Sequence, residues 1–252
     1  MPMSLGPSMM LGATNAIPFQ PQSLGSALVA WWDPDYGITK DSVSNRISSW
    51  EDRVSGTTVV QATGARQPLY VASSAGMNNR PSIEMTAVTQ TLAIASAPVA
   101  LQVQQGPSTY ITISRFTTTG NYDILGSAGA PVAGSFLHII FSQKINAAIY
   151  VAGAVAKFQA GLTTVPALTA CMTGQMNDGT NIYPILNGAK DNVGAPTGTT
   201  TTPTAPFVIG ARSDGSSNSI IGFMGDVLIF NRALTDPELN KLYLWAKERW
   251  AL

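Results

Sequence analysis

The feature that most constrains this chain is a long succession of short extended segments closed by one helical segment. Ala27–Trp32, Val43–Trp50, Val59–Gln61, Pro68–Val71, Ser82–Met85, Tyr110–Phe116, Phe136–Ser142, Ala147–Val151, Ala167–Gln175, Ile182–Leu186, Phe207–Ile209 and Gly225–Phe230 are extended runs, the strongest of them rich in Ile, Phe and Tyr. Gly, Asn, Asp and Pro punctuate them throughout, as the many short strands of a sandwich require. The prediction is an all-β domain over residues 27–252. With 45% hydrophobic residues in 252, the chain can fill a two-layer core.

Two joints are legible in more detail. Asp178-Gly179 separates two extended runs and is a hairpin turn signal, because Gly tolerates positive φ. Pro184 interrupts the run that follows, which places it at an edge or a bulge. Gly194–Pro206, with a Thr tract and three prolines, is expected to be an exposed crossover.

The helix is predicted over residues 236–250. Thr235 and Glu238 form a capping box with Pro237 in the first turn. Leu239, Leu242, Tyr243, Ala246 and Trp250 then share one face, and Lys247 and Arg249 complement the dipole at the end. Such a helix should cover one edge or face of the sandwich.

Residues 1–26 differ from the rest. They carry four prolines, several Met and Leu, and no charge. That proline density excludes a long helix, and no alternation supports a strand. An extended N-terminal arm is expected, lying either on its own domain or, as favoured here, on a neighbouring subunit. Leu5, Met9, Met10, Leu11 and Phe19 are its candidate docking residues.

Charge narrows the partners. Only 11% of residues are charged and the net charge is zero, with no basic run. Nucleic-acid binding needs a positive field, so it is not expected. The first basic residue is Lys40, so no secretory leader is read, and no stretch is apolar enough for membrane insertion. A surface this poor in charge suits a chain covered by partners, including further copies of itself. The lone Cys171 lies in an apolar run and is expected to be a buried, inert thiol.

A family resemblance enters at the two ends of the domain. Ala27–Asp33, Ile47–Trp50 with Asp52 and Ser55-Gly56, and Arg80-Pro81 resemble the opening of laminin-G-like domains of the concanavalin A-like jelly-roll class. Ile209-Gly210, Phe223–Val227, Ile229–Leu234, Thr235–Glu238 and the helix ending at Trp250 resemble that family's close, and Leu186-Asn187-Gly188 resembles one of its strand ends. The resemblance implies a two-sheet antiparallel jelly-roll sandwich with a C-terminal helix. Domains of this kind occur in bacteriophage virion proteins, and short leaders like Ser4-Leu5-Gly6 resemble theirs. The implied role is a structural virion component (capsid decoration, tail or fibre) on the virion surface, its arm docked on capsid or tail subunits. The alternative is a carbohydrate-binding adhesin not tied to a particle.

The resemblance also frames the chemistry. Some relatives bind calcium through acidic loops and often have Phe-Asp-Gly where this chain reads Met85-Thr86-Ala87. Asp178 and Asp214 stand alone in their loops, and calcium needs several oxygen ligands, so each is read as a turn former and no cofactor or metal is assigned. Glycoside hydrolysis needs two carboxylates across a cleft. The four Glu (Glu51, Glu84, Glu238, Glu248) show no such pattern, and Glu51 and Asp52 are adjacent. His138, the only histidine, sits in an apolar strand without a nucleophile elbow and is read as structural. No catalytic residue is therefore assigned. For binding, Trp31 and Trp32 point to opposite faces. Either Trp32 joins Tyr36 and Tyr122 in a platform for a host-surface glycan, or both tryptophans are covered by core, arm or helix.

Overall fold

The computed structural model describes residues 18–95, 101, 106–126, 136–150, 156–196, 206–211 and 219–252. In chain order the strands are β1 (Leu28–Trp32), β2 (Ile38–Lys40), β3 (Ile47–Glu51), β4 (Thr58–Val60), β5 (Leu69–Ser74), β6 (Arg80–Met85), β7 (Leu92–Ile94), β8 (Ser108–Phe116) and β9 (Tyr122–Gly126). There follow β10 (Phe136–Phe141), β11 (Lys144–Tyr150), β12 (Ala156–Thr164), β13 (Ala170–Asn177), β14 (Asn181–Leu186), β15 (Ala189–Lys190), β16 (Ala195–Pro196), β17 (Phe207–Ile209) and β18 (Gly222–Phe230), then helix α1 (Asp236–Trp250).

They form two nine-stranded sheets with antiparallel ladders. One runs β15-β14-β13-β8-β18-β6-β5, with β1 on β18 and β16 on β14; the other runs β12-β11-β10-β9-β17-β7-β4-β3-β2. The sheets enclose one apolar core, in which Trp32, Trp50, Ile83, Phe207, Met224 and Ile229 are buried. A second core lies on the far face of the first sheet, where α1 covers it: Trp31, Ile111, Leu228 and Phe230 meet Leu239, Leu242, Trp245 and Trp250. The all-β sandwich with a C-terminal helix is thus the observed architecture, and the helix covers a face.

Period-two alternation explains most of this burial. Trp32 enters the inter-sheet core and stacks on Phe207 at 5.6 Å, while Trp31 goes to the helix side and meets Trp245 edge-on at 5.8 Å. The instructive exception is β18. Its register with β8 shifts between Met224 and Val227. Met224 and Val227 both face the inter-sheet core, whereas Asp226 reaches Trp31 and Trp250 on the helix side. Strict alternation from Met224 would have sent Asp226 into the apolar core; the bulge re-aims it. Gly225 marks the bend, and a Cβ there would come within 2.8 Å of the Trp250 ring.

Several segments differ from their sequence reading. Val43 is not in a strand: Asp41 Oδ1 accepts the N–H groups of Val43 (3.0 Å) and Ser44 (2.6 Å), closing a turn that leaves Val43 exposed. Ala167 and Leu168 belong to a turn, with Leu168 at φ 61°, and β13 starts at Ala170. Within the expected crossover, Ala195–Pro196 pairs with Asn181–Ile182. Residues 197–205 and Asp214 lie outside the described residues. The Asp178–Gly179 hairpin joins β13 and β14. Pro184 falls between the two short outer partners of β14, where no ladder bond is demanded of it.

The arm also reads differently at its inner end. Pro21–Ala27 is a 3₁₀ turn with Pro at its first position and Pro21 buried, and Phe19 and Leu24 pack against the helix-side core. Residues ahead of Ala27 are therefore packed on the domain, and Phe19 is seated on its own chain. Leu5, Met9, Met10 and Leu11 lie outside the described residues.

Candidate functional site

The residues of the opening and closing motifs converge on one buried charge network. Asp33 directly follows β1 and Asp226 sits on the β18 bulge; both are wholly buried. Arg249 of α1 donates from Nη2 to Asp33 Oδ1 (2.6 Å) and from Nε to Asp226 Oδ2 (3.0 Å). Asp226 also accepts the indole N–H of Trp31 (2.8 Å) and of Trp250 (2.6 Å). Arg53 donates to Asp33 Oδ2 at 2.5 Å. Burial pushes the Asp226 carboxyl up to about 6, against the pull of Arg249, with Asp33 adding to the rise. The same carboxylates hold the Arg249 guanidinium above its ordinary range although its burial works the other way. Asp52, the other motif carboxylate, accepts the backbone N–H groups of Val54 (2.8 Å), Ser55 (2.8 Å) and Thr57 (2.7 Å) and shapes that turn. These acids hold the fold together beneath the surface, where no substrate reaches them.

The predicted three-residue platform does not assemble. Trp32 is wholly buried, its indole N–H donated to the Trp50 carbonyl at 3.2 Å. Tyr122 is buried against Phe116, 5.5 Å between ring centres, and its hydroxyl is bonded to Thr118. The crevice beside it, about 10 Å³, holds no more than a water molecule. Both are strand residues, Trp32 the last of β1 and Tyr122 the first of β9, and both join the inter-sheet core. Tyr36 alone stays outside, 42% exposed.

Local structure explains how Tyr36 is presented. The Asp35 N–H bonds to Asp33 Oδ1 (2.9 Å) and the Tyr36 N–H to the Asp33 carbonyl (2.9 Å), so a tight turn follows β1. Gly37, at φ +68°, then lets the chain run against β3, where a Cβ would lie 2.6 Å from the Glu51 carbonyl oxygen. Arg53 lies 5.4 Å from the centre of the Tyr36 ring. Tyr36 and Tyr70 of β5, with Pro34, Asp35, Gly37, Ile38 and Lys40, line an open groove of about 230 Å³. Lys40 Nζ sits 5.4 Å from the centre of the Tyr70 ring and donates to Asn45 Oδ1 at 2.6 Å. Burial, then the nearby Asp35 charge, raise the Tyr70 phenol above its usual range, so it stays a hydroxyl that can donate or accept. Sequence reasoning missed Tyr70, because nothing in Pro68–Val71 marks it as facing the turn after β1.

A second groove, about 340 Å³, lies where the first described residues meet the helix and is lined by Pro18, Phe19, Gln20, Asn78, Arg80, Trp245, Glu248 and Arg249. Among the described residues no group of three or more His, Cys, Asp or Glu is placed to hold a metal ion, and no helix is long and apolar enough to cross a membrane. Asp178 is a turn former, its Oδ1 accepting the N–H groups of Thr180 (2.8 Å) and Asn181 (2.7 Å). Cys171 is buried, and burial pushes its thiol up to about 12. His138 lies on β10 opposite Leu125 and Ala147; its side chain is outside the described set.

With this geometry in place, solved structures supply the comparison. The chain matches Trypanosoma rangeli sialidase in complex with sialic acid at TM-score 0.59 and 16% identity, over 86% of this chain and 33% of that one. It matches the CBM40 of Ruminococcus gnavus IT-sialidase bound to α2,3-sialyllactose at TM-score 0.54 and 13% identity, over 64% of this chain and 96% of that one. Domain 4 of AbnA, a GH43 extracellular arabinanase from Geobacillus stearothermophilus in complex with arabinotriose, matches at TM-score 0.54 and 12% identity, over 86% and 98%. These proteins share its sandwich fold. The chain spans only about a third of the sialidase. No protein-family model and no curated protein matches it.

Proposed function

We propose that this chain is a non-enzymatic, lectin-like sandwich that holds a glycan in the Tyr36–Tyr70 groove and is displayed on a bacteriophage particle. One observation carries the binding half: an exposed tyrosine ring borders a groove rich in hydrogen-bonding groups, while the signature carboxylates are engaged below the surface. An aromatic face against a sugar ring with polar groups at its rim is how a shallow site gains affinity without a deep cavity. The small domains of like fold that are bound to sialyllactose and arabinotriose support the same reading. A glycan array probed with the full chain and with Tyr36→Ala tests it. Binding that the substitution weakens is expected, and an array with no signal above background rejects it.

The particle half rests on the motif resemblance and on the uncharged N-terminal segment, of which residues 1–17 lie outside the described residues. In this reading the leader docks on a capsid or tail subunit, the sandwich faces outward, and the charge-poor surface favours self-association. Removing residues 1–17 should abolish incorporation into particles while leaving the fold intact. Unchanged incorporation would sink the docking role, and glycan binding would then describe a free adhesin.

A further inference from the structure

We infer that the two grooves are halves of one track and that its ligand is an uncharged oligosaccharide crossing the Asp35–Arg80 pair, an inference that rests on the glycan reading above. Asp35 lines the Tyr36 groove. Its Oδ2 accepts from Arg80 Nη2 and, at 3.0 Å, from Arg249 Nη2. Both arginines line the second groove. The two grooves are therefore joined through these ion pairs, Asp35 on one side and its two arginine partners on the other.

Size favours joining them. The Tyr36 groove alone, about 230 Å³, is smaller than the roughly 300–1,000 Å³ usual for small-molecule sites, and with its neighbour of about 340 Å³ it comes within that range.

The chemistry of the saddle sets the ligand's charge. The Asp35 and Arg80 side chains are each about a third exposed (34% and 33%), so the pair has a solvent-facing edge. Their charges are matched, and both arginine bonds fall on Oδ2, which among the described residues leaves Asp35 Oδ1 to accept from a hydroxyl. With its charges paired, the saddle has no net charge to recruit an ionic ligand, whereas a sugar hydroxyl can bond to it without disturbing the pair. Beyond the saddle, Asn78 and the exposed Glu248 offer an amide and a carboxylate to further hydroxyls. Glu248 takes part in no ion pair among the described residues.

The test titrates the full chain calorimetrically with mono-, di- and tetrasaccharides of four uncharged series: β-1,4-glucan, β-1,4-galactan, α-1,5-arabinan and β-1,4-linked N-acetylglucosamine. Sialyllactose serves as the acidic arm. In at least one uncharged series the tetrasaccharide should bind about tenfold or more tighter than the monosaccharide, as added contacts accumulate. Glu248→Ala should weaken the tetrasaccharide about three- to tenfold, the worth of one hydrogen bond, and leave the disaccharide unchanged. Tyr36→Ala should weaken both. Equal affinity along every series, no effect of Glu248→Ala, or binding confined to sialyllactose overturns the track while the glycan reading stands. Binding to none of these probes rejects the reading and the track together.

Discussion

Arg249, one residue before the end of α1, donates to Asp33 directly after β1, 2.6 Å away and 216 positions apart in the chain. That contact ties the last turn of the helix to the first strand, and through Nε the same guanidinium holds Asp226 on the bulge of β18. The first strand is thus tied to the last strand and the helix by one side chain, itself 16% exposed. The turn that presents Tyr36 begins at the same Asp33, so the site and the closure of the fold share an anchor.

Arg249→Ala should therefore be among the most damaging single substitutions. It leaves Asp33 with Arg53 alone and removes the only cation bonded to Asp226 among the described residues. Stranding a buried charge costs about 3–5 kcal/mol. Urea unfolding followed by far-UV circular dichroism measures the loss, and a decrease below about 1 kcal/mol, the worth of a surface pair, would show the network to be ornamental.

Asp226 gives this network an unusual pH signature. Its carboxyl is raised from 3.8 to about 6 in the fold, so between those values the folded protein holds more protons than the unfolded chain. Its contribution to stability is then fully present below 3.8 and is lost as pH rises through 6, the reverse of an ordinary paired aspartate. Asp226→Asn should remove that downward step. Urea midpoints for both proteins from pH 4 to 7 test it, and parallel profiles would refute the raised carboxyl.

Glu238 works in the opposite sense. Arg232 grips it with two bonds of 2.7 Å, and the Thr235 N–H adds a third at 2.9 Å, holding its carboxyl down at about 2 from 4.5. The stabilisation is complete above 4.5 and disappears as pH falls through 2. Glu238→Gln should lose about 1 kcal/mol at neutral pH, a modest value because the pair is partly solvated. The gap between variant and parent should close as the solution is acidified towards pH 2, and a pH-independent gap would count against the ion pair.

How much of this was legible beforehand follows the range of the forces involved. The α1 boundaries and the Asp178 turn were readable because caps and turns are local hydrogen-bond chemistry. The opposite faces of Trp31 and Trp32 were readable from strand geometry, and so was the alternative that core, arm or helix covers both; the structure shows that the helix covers Trp31. β2 and β7, three residues each, carry too little pattern to stand out and exist because neighbouring strands pair with them. The helix-side position of Asp226 depends on a register shift, which leaves no mark in composition. Tyr70 joined the groove through tertiary proximity alone, across 34 positions from Tyr36.

Cys171 offers a simple check of core integrity. Its Sγ lies 3.6 Å from the Ser114 carbonyl oxygen, within the inter-sheet core, and its thiol is pushed up to about 12. Only the thiolate reacts readily, so the folded protein should resist Ellman's reagent at pH 8 and react fully in denaturant. Rapid labelling of the native chain would contradict the burial of β13.

The tryptophan and the tyrosine first paired as a platform should now separate cleanly. Trp32 fills the core against Phe207, so Trp32→Ala should cost about 3–5 kcal/mol and lower the thermal midpoint whatever the ligand. Tyr36 is exposed, and its hydroxyl contact to Glu51 is long at 3.4 Å, so Tyr36→Ala should shift stability by no more than about 0.5 kcal/mol. The same substitution should weaken glycan binding about tenfold, since an aromatic contact with a ring is worth about 0.5–1.5 kcal/mol beyond the area it buries. Thermal melts and calorimetric titrations on the two variants decide the matter. If Tyr36→Ala binds glycan as the parent does, the ligand sits elsewhere, and the groove beside the Asp33 turn is only the outer edge of the charge network.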